Sequence, residues 1–206
     1  DGDYPDLPRL IEIKRRHKAF LMIDEAHALG VMGPTGRGIH EHFGIDGRDV
    51  DIWMGTLSKA LAGCGGYIAG NEALVEHLKI APPGFLYSVG MSPPVAAAAK
   101  KALEVMLREP ERVARLQHNG RLFLELAQNA GVNCGTSTGL AVVPAITGSS
   151  SRAVRLTHDL LEYGVSAKPI IYPAVEEKAA RVRFFINAQL TEDDIHFAID
   201  KLKACI

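Results

Sequence analysis

Cysteine is scarce in this 206-residue chain, and the three present, Cys64, Cys134 and Cys205, stand far apart with no CxxC spacing. Neither a disulfide framework nor a zinc site is indicated, and a reducing cytoplasm is the simplest setting. No apolar run approaches the roughly 20 residues needed to cross a bilayer. The longest, residues 19–23 and 140–143, have the length of buried strands. Charge of one sign is missing too. A formal net charge of -1 gives no field to draw the chain to nucleic acid or anionic lipid. No signal peptide is expected from the opening residues, and there is no internal repeat and no low-complexity tract. The first residue is Asp rather than Met, so the chain is expected to begin partway through a fold.

What remains is an ordinary globular composition, 47% hydrophobic and 23% charged. Leu7, Leu10 and Ile11 recur at helical spacing and predict a helix over 7–17. The continuous run 19–23 predicts a strand covered on both faces, as in a parallel sheet with flanking helices, with Asp24 closing it. Residues 30–47 are glycine-rich and read mostly as loop. Strands are expected over 51–54 and 66–70, and helices over 71–79 and 95–108. Glu109-Pro110 breaks the pattern and divides the chain into 1–109 and 110–206. The second part reads as α+β. It has a helix ending near Gly131, strands at 140–146, 165–171 and 182–186, and a helix capped by Ser149-Ser150-Ser151 that stops at Gly164. A last helix opens on a capping-box-like Thr191 and Asp194.

Polar residues gather at the ends of the first two strands. Asp24 and His27 follow one; Thr56, Ser58 and Lys59 follow the other. Ligands of open α/β sheets bind beyond the carboxyl ends of strands, so these clusters are expected to be neighbours on one rim. An amine, a carboxylate, an imidazole and hydroxyls are what a pyridoxal 5'-phosphate (PLP) site needs. The amine forms a Schiff base, the carboxylate keeps the pyridine nitrogen protonated, and hydroxyls or backbone N–H groups hold the phosphate. The paired histidines His40 and His42 lack a matching third ligand, so they read as solvated loop residues and no metal is expected.

Asp24-Glu25-Ala26-His27, Gly30 and Gly33-Pro34-Thr35-Gly36-Arg37-Gly38 resemble the DEAH…G…GPxGRG stretch of the α-oxoamine synthases. The segment from Gly55 to Gly63, with Gly65-Gly66-Tyr67, is similar to that family's cofactor-lysine segment and is the most specific match. Tyr87-Ser88 with Pro93-Pro94 resembles the stretch that follows. Ala180-Arg181-Val182-Arg183 with Asn187-Ala188 resembles the C-terminal motif, although Gln189-Leu190 stands where the family usually has His or a similar residue. The resemblance runs the length of the chain.

It implies part of a fold-type I PLP-dependent transferase large domain, an α/β unit with a mostly parallel sheet and flanking helices, followed by a small α+β C-terminal domain. It implies Lys59 as the Schiff-base lysine and general base, Asp24 on the pyridine nitrogen and His27 on the ring hydroxyl. Thr56 would bind the phosphate, and Ser88 the phosphate of a neighbouring subunit in a homodimer. Arg183 would clamp the substrate carboxylate, with Arg181 as its competitor. The implied reaction is a decarboxylative condensation of a small amino acid with an acyl-CoA thioester. The family's chains are about twice as long, and three strands before Glu109 are few beside the roughly 4–6 of a typical sheet. An incomplete segment, inactive by itself, is therefore expected. An aminotransferase of the same fold, or a non-catalytic assembly domain, is the alternative. The DEAH tetrapeptide also invites a helicase reading, but that needs a GxxxxGK[ST] phosphate loop, which is absent.

Overall fold

The computed structural model describes residues 1–206. The chain forms two compact units, one of Pro5–Val113 and one of Asp1–Tyr4 with Ala114–Ile206.

In the first unit, α1 (Leu7–His17) opens where the Asp6 carboxylate accepts the Arg9 N–H at 3.1 Å and closes at Lys18, which is left-handed at φ 50°. Leu7 and Ile11 bury its apolar stripe. Strand β1 (Met22–Asp24) is shorter than the apolar run suggested, and Asp24 belongs to it rather than closing it. Ala19 still bonds to Lys14 of the helix end, and Phe20 is 87% exposed, so the run begins before the sheet does. The glycine-rich stretch contains a short helix, α2 (Ile39–Phe43), that local composition concealed. Strand β2 (Ile52–Thr56) runs parallel to β1, with Met22 beside Ile52 and Asp24 beside Met54. Strand β3 (Gly66–Gly70) joins β2 antiparallel, giving the order β1-β2-β3. The expected parallel pair is therefore present, extended by one antiparallel strand. Helices α3 (Glu72–Ile80), α4 (Pro83–Leu86) and α5 (Pro93–Arg108) follow, and none of them fully buries a side chain.

The second unit is built on α6 (Glu111–Asn129), β4 (Val142–Ile146), α7 (Ser150–Glu162), β5 (Lys168–Ile170), β6 (Arg181–Phe185) and α8 (Glu192–Cys205). Its sheet is antiparallel throughout, in the order β4-β6-β5. Val143, Ala145, Val182 and Phe184 are buried on one face, and Phe123, Leu156, Leu160, Ile195 and Leu202 complete the core. Burying each large apolar side chain contributes about 1.5–3 kcal/mol. Asn119 is buried at 2% exposure, and its amide donates to the carbonyls of Asn187 and Leu190, fixing the turn after β6. Thr191 and Asp194 form the expected capping box. The serine cluster does not cap α7 with its own side chains. Glu177 does so, accepting the Ser150 N–H at 2.8 Å. No helix is long and apolar enough to cross a membrane.

Candidate functional site

Because β1 and β2 run parallel, their carboxyl ends reach the same rim. The pairing continues one residue beyond the strand, where Glu25 N–H donates to the Met54 carbonyl at 2.7 Å. Side chains alternate along a strand, and Asp24 is level with Met54, so Asp24 and Thr56 share one face of the sheet. The Asp24 carboxylate accepts the Ala26 N–H at 2.7 Å. Such a bond turns the chain at once. The Glu25 carbonyl then accepts from Ala28 and Leu29, and His27 is carried, exposed, on the bend between them.

Alternation also explains a residue that sequence reading passed over. Glu25 falls on the buried face of Ile23 and is only 6% exposed. Its carboxylate accepts the Ile39 N–H at 2.7 Å, tying the end of β1 to the start of α2. Burial raises this carboxyl above its ordinary range, and the Ile39 bond offsets part of that. Gly38, between the two, has φ 102°, and a Cβ there would enter the Glu25 carboxylate. The strand-end alternation Ile23, Glu25 was the available signal. Glu41 ties the same loop from the other side. It accepts the N–H groups of Thr35 and Arg37 at 3.0 Å and the Thr35 hydroxyl at 2.5 Å. Partial burial would raise its carboxyl, but these donors together hold it below the usual value. His40 packs edge-on against Trp53, with ring centroids 5.7 Å apart.

Lys59 sits in the tight connection between β2 and β3. Leu57 N–H bonds to Gly65 O at 2.9 Å, Gly63 N–H to Leu57 O at 2.6 Å and Ala62 N–H to Lys59 O at 3.0 Å. Leu57 and Leu61 are buried as anchors, so the residues between them, Lys59 included, are turned outward. The Lys59 amine has neither a hydrogen-bond nor an ion-pair partner. The Thr56 hydroxyl lies 2.8 Å from that of Ser58 and accepts the Ser58 N–H at 3.2 Å. The two clusters meet through the backbone. Gly30, on the loop after His27, lies so close to Ala60 that a Cβ on it would stand 2.5 Å from the Ala60 Cβ. The structure thus brings the loops bearing Asp24, His27, Thr56 and Lys59 together.

Ser88 and Arg183 stand on other segments of the chain. Ser88 is exposed just beyond α4, and its hydroxyl donates to Phe85 O at 2.8 Å. Arg183 belongs to the other compact unit, on β6, where its Nε donates to the Asp1 carboxylate at 2.8 Å. Arg181 binds the same carboxylate.

The family described as aminotransferase class I and II matches residues 1–202. An 8-amino-7-oxononanoate synthase of Symbiobacterium thermophilum is 43% identical over 199 residues, covering 97% of this chain and 50% of that protein. A serine palmitoyltransferase from S. paucimobilis, solved with a bound PLP–myriocin aldimine, superposes with a TM-score of 0.93 at 26% identity, over 99% of this chain and 51% of that one. The 8-amino-7-oxononanoate synthase of Francisella tularensis gives a TM-score of 0.84 at 26% identity, over 98% and 58%. These neighbours are α-oxoamine synthases, the group whose motifs the sequence resembled. The chain spans about half the length of the curated relatives it matches.

Proposed function

The chain belongs to the aminotransferase class I and II family, and from that premise we propose that it carries much of the active site of a PLP-dependent acyltransferase. The reaction is the decarboxylative condensation of a small amino acid with an acyl-CoA thioester, in keeping with relatives named 8-amino-7-oxononanoate synthase and serine palmitoyltransferase. The unit Pro5–Val113 forms part of the cofactor-binding domain, in place of the expected 1–109, and Asp1–Tyr4 with Ala114–Ile206 the small domain, in place of 110–206.

The residues present fit PLP. A carboxylate and a hydroxyl share a sheet face, an exposed amine has no competing partner, and two hydroxyls and a backbone N–H gather beside it. PLP, when bound, supplies an electron sink for the amino acid's α-carbon. Asp24 holds the proton on the pyridine nitrogen that this sink requires. Lys59 would hold the cofactor through its amine and would take the amino acid's α-proton. His27 would face the ring hydroxyl and would steady charge that develops at the acyl carbonyl. Thr56 binds the phosphate. Arg183 takes the substrate carboxylate, a task suited to a planar guanidinium.

Ser88 contributes to a second phosphate across a homodimer. Its segment supports this, since Phe85, Leu86, Tyr87, Val89 and Met91 are all exposed apolar residues. Three free cysteines, one of them the exposed Cys64, support a cytoplasmic setting.

The observation that carries this reading is the contact of Gly30 with Ala60, which sets the Asp24–His27 loop against the lysine turn. Lys59→Ala should abolish the visible absorption band that PLP gains on binding the protein. A band unchanged in that variant removes Lys59 from the role. Turnover should require the thioester. Conversion of PLP to pyridoxamine phosphate by amino acid alone would mark an aminotransferase instead. By itself, the 206-residue chain should turn over weakly or not at all.

A further inference from the structure

Arg181 and Arg183 stand two residues apart on β6, so they share one sheet face, and both reach the carboxylate of Asp1. They are not used alike. Arg181 spends its Nε on the Ala179 carbonyl at 2.8 Å and a terminal nitrogen on Asp1 Oδ2. Arg183 gives only its Nε, to Asp1 Oδ1 at 2.8 Å, and its two terminal nitrogens make no bond. Its side chain is also the more open, 27% exposed against 14% for Arg181.

Asp1 is a fixed post. The carbonyl of Gly2 accepts the Thr138 N–H at 3.0 Å and the Thr138 hydroxyl at 2.8 Å, and Asp3 accepts the Thr136 hydroxyl at 2.7 Å. Lys168 pairs with Arg183 across β5–β6 and adds a further cation to the same face.

We propose that Asp1 is a positioning residue that holds Arg183 by its Nε and so presents the terminal edge of the guanidinium to the substrate carboxylate. This rests on the reading of Arg183 as the carboxylate clamp. A guanidinium offers five donors in one plane. Fixing one donor fixes the plane, so a carboxylate binding the remaining edge bidentately loses less side-chain freedom. Arg181 completes the arrangement. By taking Oδ2 it neutralises Asp1 and stops that carboxylate from engaging both sides of Arg183. Within this group of two arginines and one carboxylate a single positive charge is left over, and it lies on the arginine with free donors. The geometry thus separates two arginines that sequence alone left in competition.

The test uses the catalytically active, PLP-loaded protein. Asp1→Asn keeps the shape and removes the charge, and should raise the KM for the amino acid about tenfold while kcat stays within about twofold. Asp1→Glu should recover part of the loss. Arg183→Gln should raise the same KM by at least about a hundredfold. In the 206-residue chain, the Arg183 Nε–H resonance should move in Asp1→Asn while the thermal melting point stays near that of the unaltered chain. A raised KM in Arg183→Gln with an unchanged one in Asp1→Asn overturns the role of Asp1 and leaves the clamp standing. An unchanged KM in Arg183→Gln removes the clamp itself. A fall in kcat alone in Asp1→Asn also overturns the positioning role.

Discussion

Glu25 is a carboxyl group with little water around it, held by the Ile39 N–H at 2.7 Å. Burial is the dominant influence and raises its pKa above the ordinary 4.5. The folded chain therefore takes up a proton at Glu25 more readily than the unfolded chain does. The stability this contributes is fully present below pH 4.5 and is lost as pH rises through the raised value. Glu25→Gln keeps an oxygen for Ile39 but cannot ionise. The stability of the variant relative to the unaltered chain should therefore climb as pH increases above 4.5, read from urea midpoints across a pH series. A difference that stays flat would show that Glu25 does not titrate there. Gly38→Ala tests the same contact from the other side. It combines a left-handed backbone with a collision against a buried carboxylate, and should lower the urea-derived stability by about 2 kcal/mol.

Among the elements, α7 shows what is local and what is not. Its stop at Gly164 was readable from the sequence, and its buried stripe of Ala153, Leu156 and Leu160 lies at helical spacing, with Leu160 fully buried. Leu160→Ala should cost about 2–5 kcal/mol in denaturant unfolding, with a loss under about 1 kcal/mol arguing that the site collapses onto the gap. Its cap was not readable, because the carboxylate that serves it comes from Glu177, 27 residues away, while the nearby serines bond to each other. Helix α1 and the capping box of α8 were legible because their signals lie within one turn. Strand β1 was misjudged at its start because an apolar run does not say where pairing begins. The same division holds at the site. Asp24, His27, Thr56 and Lys59 were legible as strand-end residues, and the parallel register of β1 and β2 brings their loops to one rim. The tie between Arg183 and Asp1 spans 182 positions, and nothing in the spacing announces it.

At the scale of the molecule, the two units differ in how much they enclose. The unit holding β4, β5 and β6 buries side chains on α7, α8 and the sheet. In the other, α3 and α5 bury none, and four of the five β3 residues are exposed. Amides protected only by such elements open locally at low cost. Hydrogen exchange of α3 and α5 should therefore run at least about a hundredfold faster than that of β4 and β6. Uniform protection across the chain would contradict this ranking.

Asp1–Tyr4 belongs to the same unit as Ala114–Ile206, so that unit is assembled from two segments separated by the whole of Pro5–Val113. During synthesis Asp1–Tyr4 emerges before β6, and Asp1 must wait without its arginine partners until β6 is made. The guanidinium pair and its carboxylate can therefore come together only once β6 has been made, and a chain halted before Arg181 would lack that corner altogether.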